Sequence, residues 1–254
     1  MQLSVVVPAY NEGDRILENL LEIASTLAAF STSWEIVVVD DGSRDATLAA
    51  AVRARTQLPD LRVFSYPRNR GKGFALRHGA RHARGEFIVF LDADLELHPK
   101  QLPVFFEVLN REGADLVVGS KRHPESQAPA AAQAFPWSRR AMSEVYRRIV
   151  GLMFRLPVGD TQAGLKLFRR EVLSEVLPAV RTARFAFDLD LLVHAYRAGY
   201  HVAEAPVAAR FLRASSRLKL RDVVRIWVDT VALYCRVQLT SRPARVKRAV
   251  PVER

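Results

Sequence analysis

Short apolar runs rich in β-branched residues alternate with amphipathic stretches through the first half of the sequence. The runs that predict β-strands are Leu3–Pro8, Glu35–Val39, Leu61–Tyr66, Phe87–Leu91 and Leu116–Gly119. The stretches that predict α-helices are Asp14–Phe30, Arg44–Gln57, Lys72–Arg84 and Lys100–Glu112. Apolar strands separated by helices build βαβ units, in which helices cover both faces of a parallel sheet. The sequence therefore predicts an α/β fold with a mostly parallel central sheet flanked by helices.

Polar residues follow each of these predicted strands. The segments concerned are Pro8–Glu12, Asp40–Ser43, Asn69–Gly73, Asp92–Asp94 and Gly119–Arg122. In open α/β sheets, ligands bind beyond the carboxyl ends of the strands. We therefore expect acidic, basic and glycine-rich segments to meet at one edge of the sheet and to form the functional site there.

The most informative of these segments is Asp92-Ala93-Asp94, which follows an apolar strand. Side chains at i and i+2 of a strand point to the same side, and two carboxylates held together repel each other. A hard divalent cation removes this repulsion and also bridges a diphosphate. The alternative interpretation is a pair of solvated aspartates at the end of a strand.

Two further segments favour a nucleotide site. Asp40 or Asp41 can accept hydrogen bonds from a base or a ribose, although either can instead cap the helix that follows. Asn69–Gly73 opens a helix, and its glycines allow a close approach of anions to the helix N-terminus. The spacings of a Walker loop and of a dinucleotide-binding Gly-x-Gly-x-x-Gly motif are both missing, which disfavours P-loop NTPases and Rossmann dehydrogenases.

Seven motifs in a fixed order give the sequence a family resemblance. They are VVVPAYNE, VVVDDGS, NRGKG, FLDADLELHP, VVGSKR, DTQAGLKLF and FAFDLDLL. In this order they resemble the family 2 glycosyltransferases with the GT-A fold, and among these the polyprenyl-phosphate glycosyltransferases, which include the dolichol-phosphate mannose and glucose synthases. Seven ordered motifs are far more specific than any single one of them.

The resemblance implies a donor site and a metal site. The residues implied to bind the nucleotide-sugar are Pro8, Ala9, Tyr10, Glu12, Asp41, Lys72, Asp92, Ala93 and Arg213. Asp92 and Asp94 are implied to hold Mg²⁺ or Mn²⁺ against the diphosphate of the donor. Glu96 stands where the family often has Gln, and we expect it to add a third, charged metal ligand.

The resemblance also implies an acceptor site. The residues implied to bind the acceptor phosphate are Lys121, Arg122, Arg139 and Arg140. Lys121 replaces the Arg of the family's Gly-Ser-Arg motif, so it keeps the charge but loses the bidentate fork. The implied catalytic carboxylates are Asp160, Asp94 and Asp188, with Asp160 as general base or positioning group. Asp188 and the neighbouring Asp190 fit a role as helix caps equally well.

The expected activity is that of an inverting, metal-dependent transferase that moves a hexose from a nucleotide-sugar to a polyprenyl phosphate. The last two motifs are closer to the glucosyl branch, which favours a UDP-glucose-like donor over GDP-mannose. A family 2 transferase that acts on a sugar or another hydroxyl acceptor is the alternative, and it would need a true general base. A nucleic-acid-binding protein would account for the net charge of +11 but leaves the acidic strand ends unexplained, so we expect no nucleic-acid partner.

The second half of the sequence predicts a catalytic domain over residues 1–214, an amphipathic helix within 215–240 and a basic, disordered tail over 241–254. The remaining predicted elements are helices Ser138–Phe154, Arg170–Leu177, Leu189–Ala198 and Leu218–Leu239 and strands Gly164–Phe168 and His201–Phe211.

Leu218–Leu239 has a wide apolar face with Trp and Tyr, which suits a membrane interface, a core position or a dimer contact. One cysteine gives no sign of an oxidising compartment, and no membrane-spanning helix is predicted. Because the acceptor of the similar family members is a lipid phosphate, the resemblance implies a cytoplasmic protein, peripheral on the cytoplasmic face of a membrane, and a homo-oligomer is left open.

Overall fold

The computed structural model describes residues 2–127, 137–184, 186–210 and 220–239, with side chains described outside 137–141 and 220–222. The strands are β1 (Leu3–Ala9), β2 (Trp34–Asp40), β3 (Leu61–Ser65), β4 (Phe87–Phe90), β5 (Leu116–Ser120), β6 (Lys166–Arg169) and β7 (Val202–Pro206). The helices are α1 (Ile16–Ala28), α2 (Thr47–Ala54), α3 (Lys72–His82), α4 (Leu102–Arg111), α5 (Trp137–Phe154), α6 (Arg170–Val176), α7 (Phe187–Arg197) and α8 (Leu220–Leu239). A short 3₁₀ helix, Pro99–Gln101, precedes α4.

The seven strands form one sheet in the order β3-β2-β1-β4-β6-β5-β7. β1, β2, β3 and β4 are mutually parallel, as are β5 and β7, whereas β6 runs antiparallel to both of its neighbours. The predicted α/β fold with a mostly parallel sheet is therefore confirmed. Because β6 runs in the opposite direction, its first residue and the segment that leads into it lie at the carboxyl edge of the other strands.

Two hydrophobic clusters cover the two faces of the sheet. On one face, Val5 and Val7 of β1 pack with α1, α2 and α4. On the other face, Val6 packs with α3, α6 and α7. The close approach of α3 to β1 depends on Gly79, because a Cβ at that position would collide with Val6. Burial on both faces explains why these strands are apolar throughout, and it fixes their polar ends at the sheet edge.

Helix α8 packs against the rest of the chain through a third hydrophobic cluster. Its Leu233 and Val237 belong to one buried cluster with Val150 of α5 and with Leu189 and Val193 of α7. Ring contacts between Tyr146 and Trp227 and between Phe154 and Tyr234 show that α5 and α8 lie side by side and run in the same direction. Within the described ranges, no helix is long and apolar enough to cross a membrane.

Candidate functional site

The loops that follow β1 and β2 are joined by hydrogen bonds. The backbone N–H of Asn11 donates to Ser43 Oγ over 3.0 Å, and that of Glu12 donates to Thr47 Oγ1 over 2.7 Å. Asn11 has a positive φ of 54°, which turns the chain at this point. The turn leaves the Tyr10 side chain exposed at the edge of the sheet, beside the expected donor site.

Asp41 holds the glycine-rich loop that precedes α3. Asp41 is 3% exposed, and its carboxylate accepts hydrogen bonds from Tyr66 Oη at 2.7 Å and Asn69 Nδ2 at 2.8 Å. The backbone N–H groups of Arg70 and Gly71 donate to it over 2.7 and 2.9 Å. Burial and the adjacent carboxylate raise the pKa of Tyr66, so that this hydroxyl stays a donor. Asp41 therefore shapes the loop, and it does not cap α2, whose N-cap residue is Ala46.

This loop places Lys72, the first residue of α3, at the acidic turn. Lys72 Nζ lies 2.6 Å from Asp92 Oδ1. Burial lowers the pKa of Lys72, but the carboxylates of Asp92, Asp188 and Asp94 outweigh this effect and raise it above its ordinary value. Lys72 is therefore a cation paired with Asp92 and influenced by the charge of Asp94, at the turn where the sequence predicts a bound metal.

Asp92 and Asp94 lie in a turn and not on a strand. Because β4 ends at Phe90, strand alternation cannot place them on one side, contrary to the sequence argument. A turn sets their positions instead. Leu95 has a positive φ of 54°, its N–H donates to the carbonyl of Asp92, and Asp94 Oδ1 accepts from the N–H of Glu96. Such a backbone conformation in a buried leucine carries strain, which is typical of functional turns.

The backbone of the segment before β6 supports Asp92 from the other side. A Cβ built on Gly164 would lie 2.6 Å from Asp92 Cγ and closer still to Oδ2. Any side chain larger than hydrogen at this position would displace the Asp92 carboxylate. The sequence shows Gly164 as part of a motif, but the reason for a glycine there becomes visible only when β6 is placed beside β4.

A buried ion pair lies beneath the site. Lys166 Nζ is 2.6 Å from Asp188 Oδ1 and 2.6 Å from the carbonyl of Ala163, and both charged residues are at most 4% exposed. Asp188 is thus placed to set the charge around Lys72 and not to meet an acceptor directly. Asp190 is fully buried and accepts from the backbone of Arg181 and Thr182, so it anchors the turn before α7.

Glu96 and Lys121 form a second ion pair at the rim, with Lys121 Nζ 2.6 Å from Glu96 Oε1. The expected third metal ligand is therefore engaged by a lysine. Among the described residues, no three His, Cys, Asp or Glu side chains are grouped to hold a metal. Asp92 is paired with Lys72 at the same distance, so pairing with a lysine does not distinguish Glu96 from Asp92, and the assignment of Asp92, Asp94 and Glu96 as metal ligands stays a prediction. A small set of carboxylates suits an ion completed by water and substrate phosphates.

Asp160 lies across the site, in the segment that leads into β6. Its Oδ2 accepts from the backbone N–H of Lys121 over 3.2 Å. Glu204 of β7, which sequence reasoning missed, holds the same turn: its Oε1 accepts from the N–H groups of Gly159 at 2.7 Å and Asp160 at 3.1 Å. A single Glu within a strand pattern gives no sequence signal for this role.

A cleft of about 120 Å³ opens beside Asp160, between α5 and the segment before β6. Arg122 and Arg147 line its polar side, and Val150 and Leu156 line its apolar side. Arg139 and Arg140 belong to the first turn of α5, but their side chains fall outside the described part of the chain, as does Arg213 altogether. Of the expected acceptor-phosphate residues, the structure thus places Lys121 and Arg122 near Asp160.

Comparison with known proteins gives the same family as the motifs. The sequence model described as "Glycosyl transferase family 2" matches residues 4–177. A dolichyl-phosphate beta-glucosyltransferase of Trichomonas vaginalis is 33% identical over 92% of this chain and 72% of its own length. The dolichyl-phosphate beta-glucosyltransferase of Saccharomyces cerevisiae is 28% identical over 91% of this chain and 73% of its own length.

A solved structure shares the fold. Glucosyl-3-phosphoglycerate synthase from Mycobacterium tuberculosis, solved with Mn²⁺, uridine diphosphate and phosphoglyceric acid, superposes with a TM-score of 0.67. It is 23% identical, and the match covers 91% of this chain and 76% of that one. The sheet order and this similarity identify the fold as GT-A, as the motifs predicted.

Proposed function

This chain belongs to glycosyl transferase family 2, and on that premise we propose that it transfers glucose from UDP-glucose to the phosphate of a dolichyl-type polyprenyl phosphate. The names of the relatives from Trichomonas vaginalis and Saccharomyces cerevisiae support the sugar and the acceptor. The observation that carries the proposal is the meeting of Lys72, Asp92 and Asp160 at one edge of the sheet. This edge combines a cation site for a diphosphate with a second, basic site for a phosphate acceptor.

The donor site fits a divalent cation. The Lys72 ammonium already lies 2.6 Å from Asp92, so this position favours positive charge, and carboxylate oxygens are the ligands that Mg²⁺ and Mn²⁺ prefer. We propose that Asp92 and Asp94 hold such an ion, which would supply charge stabilisation to the departing nucleoside diphosphate. The presence of Mn²⁺ and uridine diphosphate in the mycobacterial synthase supports this assignment. Tyr10 and the loop held by Asp41 would contact the nucleoside.

The proposed reaction is a direct displacement. An oxygen of the acceptor phosphate attacks the anomeric carbon of glucose and forms a new C–O bond. The bond between this carbon and the diphosphate breaks, and its electron pair leaves with the diphosphate. The configuration at the anomeric carbon inverts. Because a phosphate monoester has a second pKa of about 6, it is mostly dianionic at neutral pH and needs little help from a base. Asp160 therefore positions the acceptor more than it removes a proton.

We further propose that the protein works at a membrane surface, on the cytoplasmic face. Both α5 and α8 carry exposed apolar residues at spacings of three to four or seven, which places them on one stripe of each helix. The residues of this two-helix apolar surface are Met142, Val145, Leu152, Val224, Val228 and Val231, each at least 51% exposed. We propose that the cleft beside Asp160 receives the acceptor phosphate, and we call it the acceptor cleft. Because α5 also lines this cleft, an exposed apolar surface on α5 and α8 suits a bilayer that presents a lipid phosphate.

The proposal is tested by incubating the purified chain with radiolabelled UDP-glucose or GDP-mannose and a polyprenyl phosphate in detergent. We expect organic-extractable glucose with Mn²⁺ or Mg²⁺, its loss with EDTA, and little transfer of mannose. Absence of a labelled lipid with either donor and both metals would contradict the proposal.

The Asp160→Asn variant separates the two acceptor classes. With a phosphate acceptor we expect the rate to fall by less than about 100-fold, because the nucleophile is already ionised. With a hydroxyl acceptor the loss of a general base costs about 100- to 10,000-fold. A loss in that larger range would favour the transferase that acts on a hydroxyl group.

A further inference from the structure

Three arginines beside the acceptor cleft share one carboxylate, that of Glu144 on α5. Arg122, from the end of β5, donates through Nη1 to Oε2 over 3.0 Å. Arg147 donates through Nε to Oε2 over 3.0 Å and through Nη2 to Oε1. Arg148 donates through Nε to Oε1 over 2.9 Å. Glu144 therefore accepts hydrogen bonds from guanidinium groups of α5 and of the turn after β5.

Two of these guanidinium groups belong to the cleft beside Asp160. Arg122 and Arg147 line it, and its apolar wall includes Val150 and Leu156. Its volume is about 120 Å³. A cleft that is basic on one side and apolar on the other suits the phosphate and the first carbons of an acceptor.

The contacts of Glu144 are easy to exchange for contacts with another anion. All three arginines are at least 39% exposed, and exposed ion pairs contribute little to stability. A phosphate monoester carries a charge of about −1.5 to −2 and presents several oxygens to the forked guanidinium groups, so it is the stronger ligand. Hydrogen bonds from Arg147 and Arg148 lower the pKa of Glu144 to about 2, so protonation does not release it near neutral pH.

We propose that Glu144 is an intramolecular competitor of the acceptor phosphate, holding Arg122 and Arg147 at the cleft until a phosphate displaces it. The identity of the anion as a polyprenyl phosphate rests on the proposed function, whereas the anion site itself does not. Because Glu144 occupies the site in the free protein, the apparent affinity for the acceptor is lower than the intrinsic one. A neutral hydroxyl acceptor would gain nothing from displacing the carboxylate, so the competition selects for phosphate.

The Glu144→Gln variant keeps the size of the side chain and removes its charge. We expect the KM for a short-chain polyprenyl phosphate to fall about three- to fivefold and the KM for UDP-glucose to stay unchanged, because only the acceptor competes with Glu144. Glu144→Ala is expected to shift the acceptor KM in the same direction. The matched control is Glu107→Gln on α4, where the carboxylate lies 3.9 Å from Arg111 on an exposed face, and both KM values should stay at wild type.

Binding of inorganic phosphate, measured by calorimetry, tests the site without turnover. We expect Glu144→Gln to bind phosphate more tightly than the wild type. The double variant that carries both Glu144→Gln and Arg147→Gln should lose this gain in phosphate affinity. An unchanged or higher acceptor KM, or unchanged phosphate binding, in folded Glu144 variants would overturn the inference. If the wild type transfers no glucose to a lipid but Glu144→Gln still gains phosphate affinity, the proposed function fails and the anion site stands.

Discussion

Among single residues, Asp92 is held from two sides, because Lys72 lies on one side of its carboxylate and the backbone of Gly164 on the other. We predict that Gly164→Ala pushes this carboxylate away from Lys72 and lowers kcat at least about 100-fold, since a misplacement of about 1 Å can cost that much. The measurement is the rate of glucose transfer at saturating Mn²⁺, together with thermal unfolding to show that the variant is folded.

Gly113→Ala is the matched control for this prediction. Gly113 follows α4, away from the site, and an added Cβ there meets nothing within 4 Å, although its φ is 61°. Because a positive φ is unfavourable for alanine, we expect wild-type activity and a stability loss of about 1 to 2 kcal/mol. Full activity in Gly164→Ala would mean that the position of Asp92 is not critical.

Glu204 is expected to position Asp160 without touching a substrate. Its Oε1 accepts from two backbone N–H groups, of Gly159 and Asp160. Because a Gln amide oxygen can accept the same bonds, we predict that Glu204→Gln keeps most of the activity, whereas Glu204→Ala loses at least about tenfold in kcat. Rescue by Gln but not by Ala, in kinetics with both substrates, identifies the positioning role. Equal losses in the two variants would argue for a role of the charge instead.

At the scale of elements, each predicted strand and helix has a counterpart in the structure. These elements could be predicted because the apolar periodicity and the ends of an element depend on the local sequence. The direction of β6 was not predictable in this way, since a strand of four residues carries no mark of its orientation.

Asp92 and Asp94 were predicted as a pair, but the reason given was wrong in detail, because the turn at Leu95 and not a strand sets their positions. Contacts between distant segments, such as Glu204 with Asp160 or Glu96 with Lys121, depend on the sheet order and leave no local signal.

Helices α5 and α8 form the element pair that we assign to the membrane surface. We predict that Val228→Glu on α8, where the valine is 61% exposed, weakens binding to lipid vesicles about tenfold, because the loss of one buried valine costs about 1.5 kcal/mol. Vesicle sedimentation measures the effect. Val52→Glu on α2 is the control, since it introduces the same charge at a valine that is 47% exposed outside this surface. Equal binding by both variants would argue against the two-helix apolar surface as the membrane contact.

For the whole molecule, the net charge of +11 is the property that could suit either a membrane or a nucleic acid. Binding to a membrane and binding to a nucleic acid differ in the affinity that remains when salt screens the charges. Attraction to phosphates decays as the Debye length falls from about 10 Å at 0.1 M salt to about 3 Å at 1 M. Burial of the apolar surface of α5 and α8 in a bilayer does not depend on this screening, whereas binding to duplex DNA has no comparable apolar contribution.

We therefore predict two different salt responses for the intact chain. Binding to vesicles that contain phosphatidylglycerol should weaken with added salt and then level off at the value found for neutral vesicles, while binding to duplex DNA should fall steeply without a plateau. Sedimentation and fluorescence anisotropy over the same salt series measure the two curves. Tight DNA binding at physiological salt, with no plateau on vesicles, would contradict the membrane assignment. A plateau that disappears in Val228→Glu would show that the remaining affinity comes from the apolar surface, because that variant alters the surface at a single residue.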